Sequence, residues 1–430
     1  MNEIHNRLAA LGVKIPEIIF PASGTDLLQW AVIACDQFTQ DNEYWEKVKA
    51  EAGSSPSTLN FIYPEIYLTA DKKIFSEKIN NIHTAMRSFL DSGNFSSHQC
   101  AVYIERSTPH NKKRRGLVLA VDLDKYDWNP KARSLIRATE GTVPERLPPR
   151  MDIRRNAPLE TTHILLLIDD EHDAIIPGIG AEAMKHKPIY ETQLMMNSGA
   201  VTGWALDLNS EKTFEKLASG LESLAQKAGE RYGVNDETPF LFAAGDGNHS
   251  LASAKAIWDE YKAAHIGETG LDSHPLRYAL VELENIHDQG IGFEPIHRIV
   301  LGAEPDKLRK ALSALKDIEC VPMPSQKNVL RIKSNSSEIA TAVIEPFLDS
   351  LKAANNYTID YIHGQDDVMR HAANYTGPTP EKQAVGLMLP PVRKDGFFRT
   401  IAQKGPLPRK SFSMGEGCEK RFYFECRKLI

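Results

Sequence analysis

Cysteine is scarce in this 430-residue chain. Its five cysteines (Cys35, Cys100, Cys320, Cys418 and Cys426) are odd in number, widely spread and without a C-x-x-C pair. That usage argues against a disulfide scaffold and a structural zinc site, and for reduced thiols in a cytosolic setting. Long apolar runs are missing too: nowhere do 18 apolar residues follow one another, and "MNEIHNRLAALGVKIPE" has no apolar core of signal-peptide length. A soluble cytoplasmic protein without a membrane partner is expected. An excess of positive charge is also lacking, since 57 acidic residues oppose 51 basic ones for a formal charge of -6. Nucleic acid is therefore not an expected partner. No G-x-x-x-x-G-K-[ST], G-x-S-x-G or H-E-x-x-H signature occurs, and the G-x-G-x-x-A match in "PGIGAEAM" follows too short a strand for a dinucleotide fold.

What remains is an ordinary globular composition, 42% hydrophobic and 25% charged, with no internal repeat. Apolar spacing predicts helices over 72–90, 210–231 and from about 248 to 264, a further helix in "PDKLRKALSALKDI", and one near 337–352. Strand-like runs are "CAVYIER", "RGLVLAVDL", "THILLLIDD", "PFLFAAG", "LRYALVELENI", "KNVLRIKS" and "AVGLMLPPV". Mixed α/β architecture follows. Loop composition places boundaries near 205 and 325. These bound an N-terminal α/β region (1–205) with an Arg-rich loop, a core (206–325), and a C-terminal α/β region (326–430). Lys112-Lys113-Arg114-Arg115, between two strands, reads as a solvated hairpin loop.

The chemistry concentrates on one turn, "GDGNHS", where a strand gives way to a helix. Gly245 and Gly247 permit close backbone approach, and Asn248, His249 and Ser250 lie where the first N–H groups of the helix point outward, a ready anion site. Asp246 would repel a phosphate there unless it binds Mg²⁺ or accepts a proton. Plain capping is the competing reading, because Asp, Asn and Ser are favoured N-cap residues. A second cluster spans 136–163 and contains Arg137, Glu140, Thr142, Arg146, Arg150, Arg154 and Arg155. Its guanidinium groups suit phosphate or carboxylate, its Glu suits a base, and its prolines suggest a loop; a solvated basic face is the alternative. In "ENIHDQGIGFEPIHRIV", Pro295 breaks any helix that would align Glu294 with His297 on a metal, leaving His297-Arg298 to orient a substrate or cap a strand. The segment "LPRKSFSMGEGCEKRFYFECR" carries Lys420 and Arg421 and ends in a strand-like alternation of Phe422, Phe424 and Cys426; it reads as structural docking before anion binding.

Six blocks, "LLQWAVIACDQFTQDNEYW", "RATEGTVPER", "GDGNHSLASAKAIW", "IGFEPIHRIV", "DYIHGQ" and "LPRKSFSMGEGCEKRFYFECR", resemble the bacterial and archaeal family catalogued as domain of unknown function 1015. Many members of that family have Asp-Gly-His-His-Arg where this chain has Asp246-Gly247-Asn248-His249-Ser250. The motif is similar to that of ParB and sulfiredoxin-like folds, including the archaeal free-serine kinases, in which this turn holds nucleotide phosphates. The resemblance implies a ParB/sulfiredoxin-like nucleotide-binding core elaborated by additional α/β segments, with ATP or ADP and a small molecule as partners. Asn248 and Ser250 replace a His and an Arg of the motif, so Arg137, Arg150, Arg154 or Arg298 would have to complete the phosphate clamp. Thr139-Glu140-Gly141-Thr142 corresponds to a His-Glu-x-Thr block, with its His replaced and Glu140 kept as a candidate base or metal ligand.

The resulting expectation is a phosphotransfer enzyme acting on a small hydroxylated metabolite such as serine or phosphoserine. In it Asp246 binds Mg²⁺ or orients the hydroxyl, His249 donates to a phosphoryl oxygen, and Glu140 takes the proton. Gly247, Asn248, Ser250, Thr142 and the arginines bind phosphate or nucleotide. A non-catalytic nucleotide-binding regulatory or adaptor protein and a phosphoserine phosphatase are the alternatives.

Overall fold

The computed structural model describes every residue except 1, 40, 70, 112 and 356. Its contacts divide the chain into two units: residues 1–291 with 417–430, and residues 292–416. The boundaries expected near 205 and 325 fall elsewhere. Ala205 lies inside the strand Ala200–Asp207, which is paired along its length with Phe95–Ser107, and position 325 lies in the tight connection between the paired strands Glu319–Met323 and Gln326–Lys333. Cutting at either place would strip backbone hydrogen bonds from a ladder.

The first unit is built on a mixed sheet of thirteen strands among the described residues. Its main path runs Tyr126–Asp127, Ile136–Ala138, Phe242–Asp246, Ile164–Ile168, Tyr278–Asn285, Arg114–Asp122, Phe95–Ser107, Glu17–Pro21, Cys426–Lys428, Leu159–Thr161. The central strands are apolar runs buried on both faces, which is why they read as continuous hydrophobic stretches. Helix Glu211–Tyr232 buries Phe214, Leu217, Leu221 and Ala228, the stripe its spacing predicts, and helix Lys72–Ser92 likewise buries Ile79, Ile82 and Met86. Asp41 caps Asn42–Ala52 by accepting from the Tyr44 N–H at 2.9 Å.

Two basic segments depart from expectation. Lys112 lies outside the described residues, but Arg114 and Arg115 open a strand. Arg114 is buried 2.9 Å from Glu284, and Arg115 is shared between Asp173 (2.5 Å) and Asp288 (2.6 Å). The Arg-rich stretch, expected as a loop, forms the strand Ile136–Ala138 and the helix Leu147–Arg154. Pro148 and Pro149 fall in the first turn of that helix, where no N–H is required.

Residues 417–430 complete the first unit. Cys426–Lys428 pairs with Glu17–Pro21 on one side and Leu159–Thr161 on the other. The expected strand alternation through Phe422 and Phe424 yields only a bridge, Ile33 with Phe422, before regular pairing begins at Cys426. Buried arginines hold the approach to that strand: Arg106 donates to the carbonyls of Cys418 (2.6 Å), Glu419 (2.9 Å) and Lys420, and Arg114 to that of Glu419 (2.7 Å). Arg421 pairs with Glu282 (3.0 Å) and Glu425, and Glu425 accepts from the Tyr190 hydroxyl at 2.5 Å. So many buried charges persist because each faces an opposite charge or a carbonyl.

The second unit carries a five-stranded sheet in the order Glu319–Met323, Gln326–Lys333, Gln383–Met388, His297–Ala303, Thr358–Ile362. One of its cores gathers Leu308 and Leu312 with Ile344 and Leu348, from helices Pro305–Leu312 and Ser337–Asn355. A second gathers Val368 and Ala372 from helix Gln365–Asn374. In this unit Arg298 is fully buried, pairs with Glu345 at 2.6 Å and donates to the Lys410 carbonyl at 2.9 Å. Its donors therefore serve the fold, contrary to the phosphate role expected of it. Neighbouring His297 accepts from the Leu389 N–H at 3.1 Å, and burial together with Arg298 pushes its imidazole down to about 4. It is neutral and structural.

Candidate functional site

The strand Phe242–Asp246 runs parallel to Ile136–Ala138 and antiparallel to Ile164–Ile168, with a bulge between Ala244 and Asp246. Extra backbone at the bulge re-aims the chain into the turn. Gly247 then takes φ 74° and starts the helix Asn248–Ala264, whose first intrahelical bond joins the Leu251 N–H to the Gly247 carbonyl at 2.9 Å. A Cβ on Gly247 would sit 3.0 Å from His163 Cδ2 and 3.1 Å from Ile164 Cα, so space and backbone conformation both demand glycine. The N-cap position is held by Gly247, which has no side chain to cap with. Asp246 accepts from the Gly247 N–H and Asn248 bonds Thr139 and Ala244, so neither plays the N-cap part expected of it, and Ser250 lies half-buried in the first turn.

Parallel pairing brings the segment after Ala138 to the same end of the sheet as the turn, and hydrogen bonds with Asn248, Ala244 and His249 fasten it there. Asn248 Oδ1 accepts from the Thr139 N–H (3.2 Å), its Nδ2 donates to Thr139 Oγ1 (3.2 Å) and to the Ala244 carbonyl (3.0 Å), and Thr139 Oγ1 donates to the same carbonyl (2.5 Å). His249 Nε2 accepts from the Val143 N–H at 3.3 Å, which leaves the ring proton on Nδ1. Glu140 and Thr142 ride half-buried on this fastened loop, and the buried Thr142 hydroxyl has no hydrogen-bond partner among the described residues. Asn248, expected to touch phosphate, is engaged by the loop instead, and His249 turns its Nε2 to the same loop.

Asp246 has a partner that sequence reasoning did not assign to it. Lys420 Nζ stands 3.0 Å from its Oδ2, while Oδ1 accepts from the Gly247 N–H at 2.9 Å. A resident Mg²⁺ at Asp246 does not fit: an ammonium already neutralises the carboxylate, and among the described residues no group of three or more His, Cys, Asp or Glu side chains converges as a metal site.

Around this pair lies a further set of charges. His163 Nε2 is 3.7 Å from Asp36 Oδ2, and its Nδ1 is 2.5 Å from the Tyr423 hydroxyl, which accepts from the Cys35 N–H at 3.0 Å. Burial favours the neutral ring, yet Asp36 holds His163 protonated well above the ordinary imidazole range. In turn, against burial, His163 together with Gln37 and Lys420 keeps Asp36 well below the ordinary carboxylate range. Glu65 feels Asp36, His163, Arg150 and Arg146, and its pKa is raised by burial and by Asp36.

Of the clamp arginines in the first unit, Arg150 is the one that joins this cluster among the described residues, through its ion pair with Glu65. Arg137 is buried against Asp236 (2.6 Å) and over the Phe240 ring, and Arg154 pairs with Glu160 (2.7 Å). Each guanidinium is neutralised by its own carboxylate, which explains why an Arg-rich sequence does not make a cationic clamp here. The cations nearest the turn are Lys420 and His163, each likewise paired with a carboxylate, Asp246 and Asp36. Lys420 was visible as a base in the C-terminal block, whereas Asp36, in the first family block, and His163, at the end of the Arg-rich stretch, are assigned no role by sequence reasoning.

The family model described as "Protein of unknown function (DUF1015)" matches residues 19–370. No curated protein sequence matches the chain significantly. Among solved structures, the chain is similar to a conserved hypothetical protein from Pyrococcus furiosus, with 12% identity over 69% of this chain and 90% of that one and a TM-score of 0.33. It is also similar to a free serine kinase in complex with AMP (11% identity, 73% and 92% covered, TM-score 0.36). SbnI with C-terminal truncation, from Staphylococcus aureus, is a third (12% identity, 69% and 83% covered, TM-score 0.31). With a match running from residue 19 to residue 370, and a mixed α/β fold beneath it, this chain belongs to the DUF1015 family.

Proposed function

We propose that the protein is a phosphotransfer enzyme that uses a nucleotide, ATP or ADP, to phosphorylate a small hydroxylated metabolite such as serine. The observation that carries this reading is the Lys420–Asp246 pair, 3.0 Å apart where the strand Phe242–Asp246 gives way to the helix Asn248–Ala264. The first-turn N–H groups and the Lys420 ammonium bind phosphate oxygens, and His163, held as an imidazolium, adds a second positive charge. Asp246 orients the substrate hydroxyl. As its oxygen bonds to the terminal phosphorus, the bond from that phosphorus to the nucleotide's leaving oxygen breaks, and the hydroxyl proton passes to Asp246 or Glu140.

A nucleotide-binding regulatory protein without turnover is the second reading, and one observation favours it: Arg137, Arg150 and Arg154 are all engaged by carboxylates and so do not gather on a transferring phosphoryl group. Incubation of the purified chain with ATP or ADP and L-serine, followed by ³¹P NMR, separates the two. A new phosphomonoester signal, lost by about 10²-fold or more in Asp246→Asn and Lys420→Met, supports the enzyme. Nucleotide-induced stabilisation without new phosphorus signals supports the regulatory reading. Inorganic phosphate from phosphoserine would indicate the hydrolase. Full turnover in both variants would place the chemistry elsewhere.

A further inference from the structure

A second concave region lies in the first unit and shares no residue with the turn. Two adjoining cavities, of about 410 Å³ and about 220 Å³, have Lys14, Ile15 and Gln99 in common. The larger is in the size range of small-molecule sites. Lys14 belongs to the short strand Val13–Lys14 that pairs on Arg114–Asp122, so its position is fixed by the sheet. Arg277 lines the larger cavity and Arg427 the smaller.

The two arginines are neutralised. Arg277 pairs with Asp122 at 2.8 Å and Asp272 at 2.5 Å, and Arg427 donates to Glu160 Oε1 at 2.7 Å. Lys14 is not: among the described residues no carboxylate lies within ion-pair distance of its Nζ, which stands 4.0 Å from the centre of the Tyr278 ring. Burial and the positive charge of Arg427 and Arg277 lower its pKa. The larger cavity holds Leu8, Ala9 and Val13 beside the polar His5, Asn6 and Gln99, a second cation, Lys125, and one carboxylate, Asp122, which is committed to Arg277 at 2.8 Å. Lys14, against a ring face and near two guanidinium groups, is left without an ion-pair partner of its own among the described residues. An anion would relieve that repulsion, whereas a neutral or cationic ligand would not.

We propose that this cavity binds a small organic anion, its carboxylate or phosphate group pairing with Lys14 and its carbon skeleton lying on Leu8, Ala9 and Val13. The site is independent of the turn, and its test does not depend on the phosphotransfer reading. Wild-type protein is acetylated briefly with N-hydroxysuccinimidyl acetate at neutral pH, and each lysine is quantified by peptide mass spectrometry. Saturating succinate or glycerol phosphate, and sodium chloride of matched ionic strength, are added in separate arms. The expected result is labelling of Lys14 reduced roughly tenfold by one or both organic anions at about ten times Kd, with the remaining lysines outside the two cavities (all but Lys125 and Lys428) unchanged and no effect of chloride. Protection by succinate alone assigns a carboxylate ligand, and by glycerol phosphate alone a phosphate ester. Isothermal titration with the protecting anion should lose its heat in Lys14→Met. Lack of protection by either anion, equal protection by chloride, or undiminished heat in Lys14→Met overturns the assignment.

Discussion

Replacing Asn248 tests whether this side chain fastens the loop that carries Glu140 and Thr142. Asn248→Ala removes three hydrogen bonds, to the Thr139 N–H, the Thr139 hydroxyl and the Ala244 carbonyl. The Ala244 carbonyl keeps the Thr139 hydroxyl, but the Thr139 N–H is orphaned in a buried place. At about 1 kcal/mol per bond, with an added penalty of about 1–3 kcal/mol for the orphan, the expected loss is about 4–6 kcal/mol. Asn248→Asp has the same shape but turns a donor toward the Ala244 carbonyl into an acceptor. Its cost should be at least as great at neutral pH and should shrink in acid, where a protonated carboxyl donates again. Urea unfolding followed by tryptophan fluorescence isolates the effect, because all five tryptophans (Trp30, Trp45, Trp128, Trp204, Trp258) belong to the first unit. Losses below roughly 0.5 kcal/mol in both variants would refute the fastening, because surface changes alone are that small.

Gly247→Ala should cost about 2–4 kcal/mol in the same assay and weaken nucleotide binding, because φ 74° and the backbone of Ile164 both oppose a Cβ. Arg106→Met should loosen residues 418–420, seen as faster amide exchange there and a loss of about 3–5 kcal/mol, since the buried guanidinium joins three of their carbonyls. Glu284 gives a pH signature: burial pushes it from the ordinary 4.5 up to about 8 against the pull of Arg114. Because the folded state holds this proton more tightly, its contribution is complete below about pH 4.5 and is lost as pH rises through 8, at most about 5 kcal/mol. Glu284→Gln should flatten that fall in urea titrations between pH 5 and pH 8.5; an unchanged slope would sink the assignment.

The elements were legible wherever apolar periodicity was strong, as in Glu211–Tyr232 and Arg114–Asp122, because burial of a stripe or of both sheet faces writes itself into spacing. The turn at 245–250 was legible for a related reason: its glycines and polar residues sit at a strand-to-helix junction. What escaped was long-range pairing. Arg137, Arg150, Arg154 and Arg298 looked like a set, yet their partners Asp236, Glu65, Glu160 and Glu345 lie in other elements, and local sequence does not mark such partners. Lys420 approaches Asp246 from 174 positions away. His163 and Asp36 meet only because separate segments converge on one end of the sheet.

Assembly of the first unit has an unusual timetable. Its sheet keeps a slot for Cys426–Lys428 between Glu17–Pro21 and Leu159–Thr161, and everything from residue 292 to 416 emerges from the ribosome before that slot is filled. At bacterial or eukaryotic translation speeds the wait is on the order of ten seconds. During it two strand edges and the carboxylate of Asp246 lack the partners they will acquire, so nascent chains stalled within 292–416 should be the species that chaperones capture.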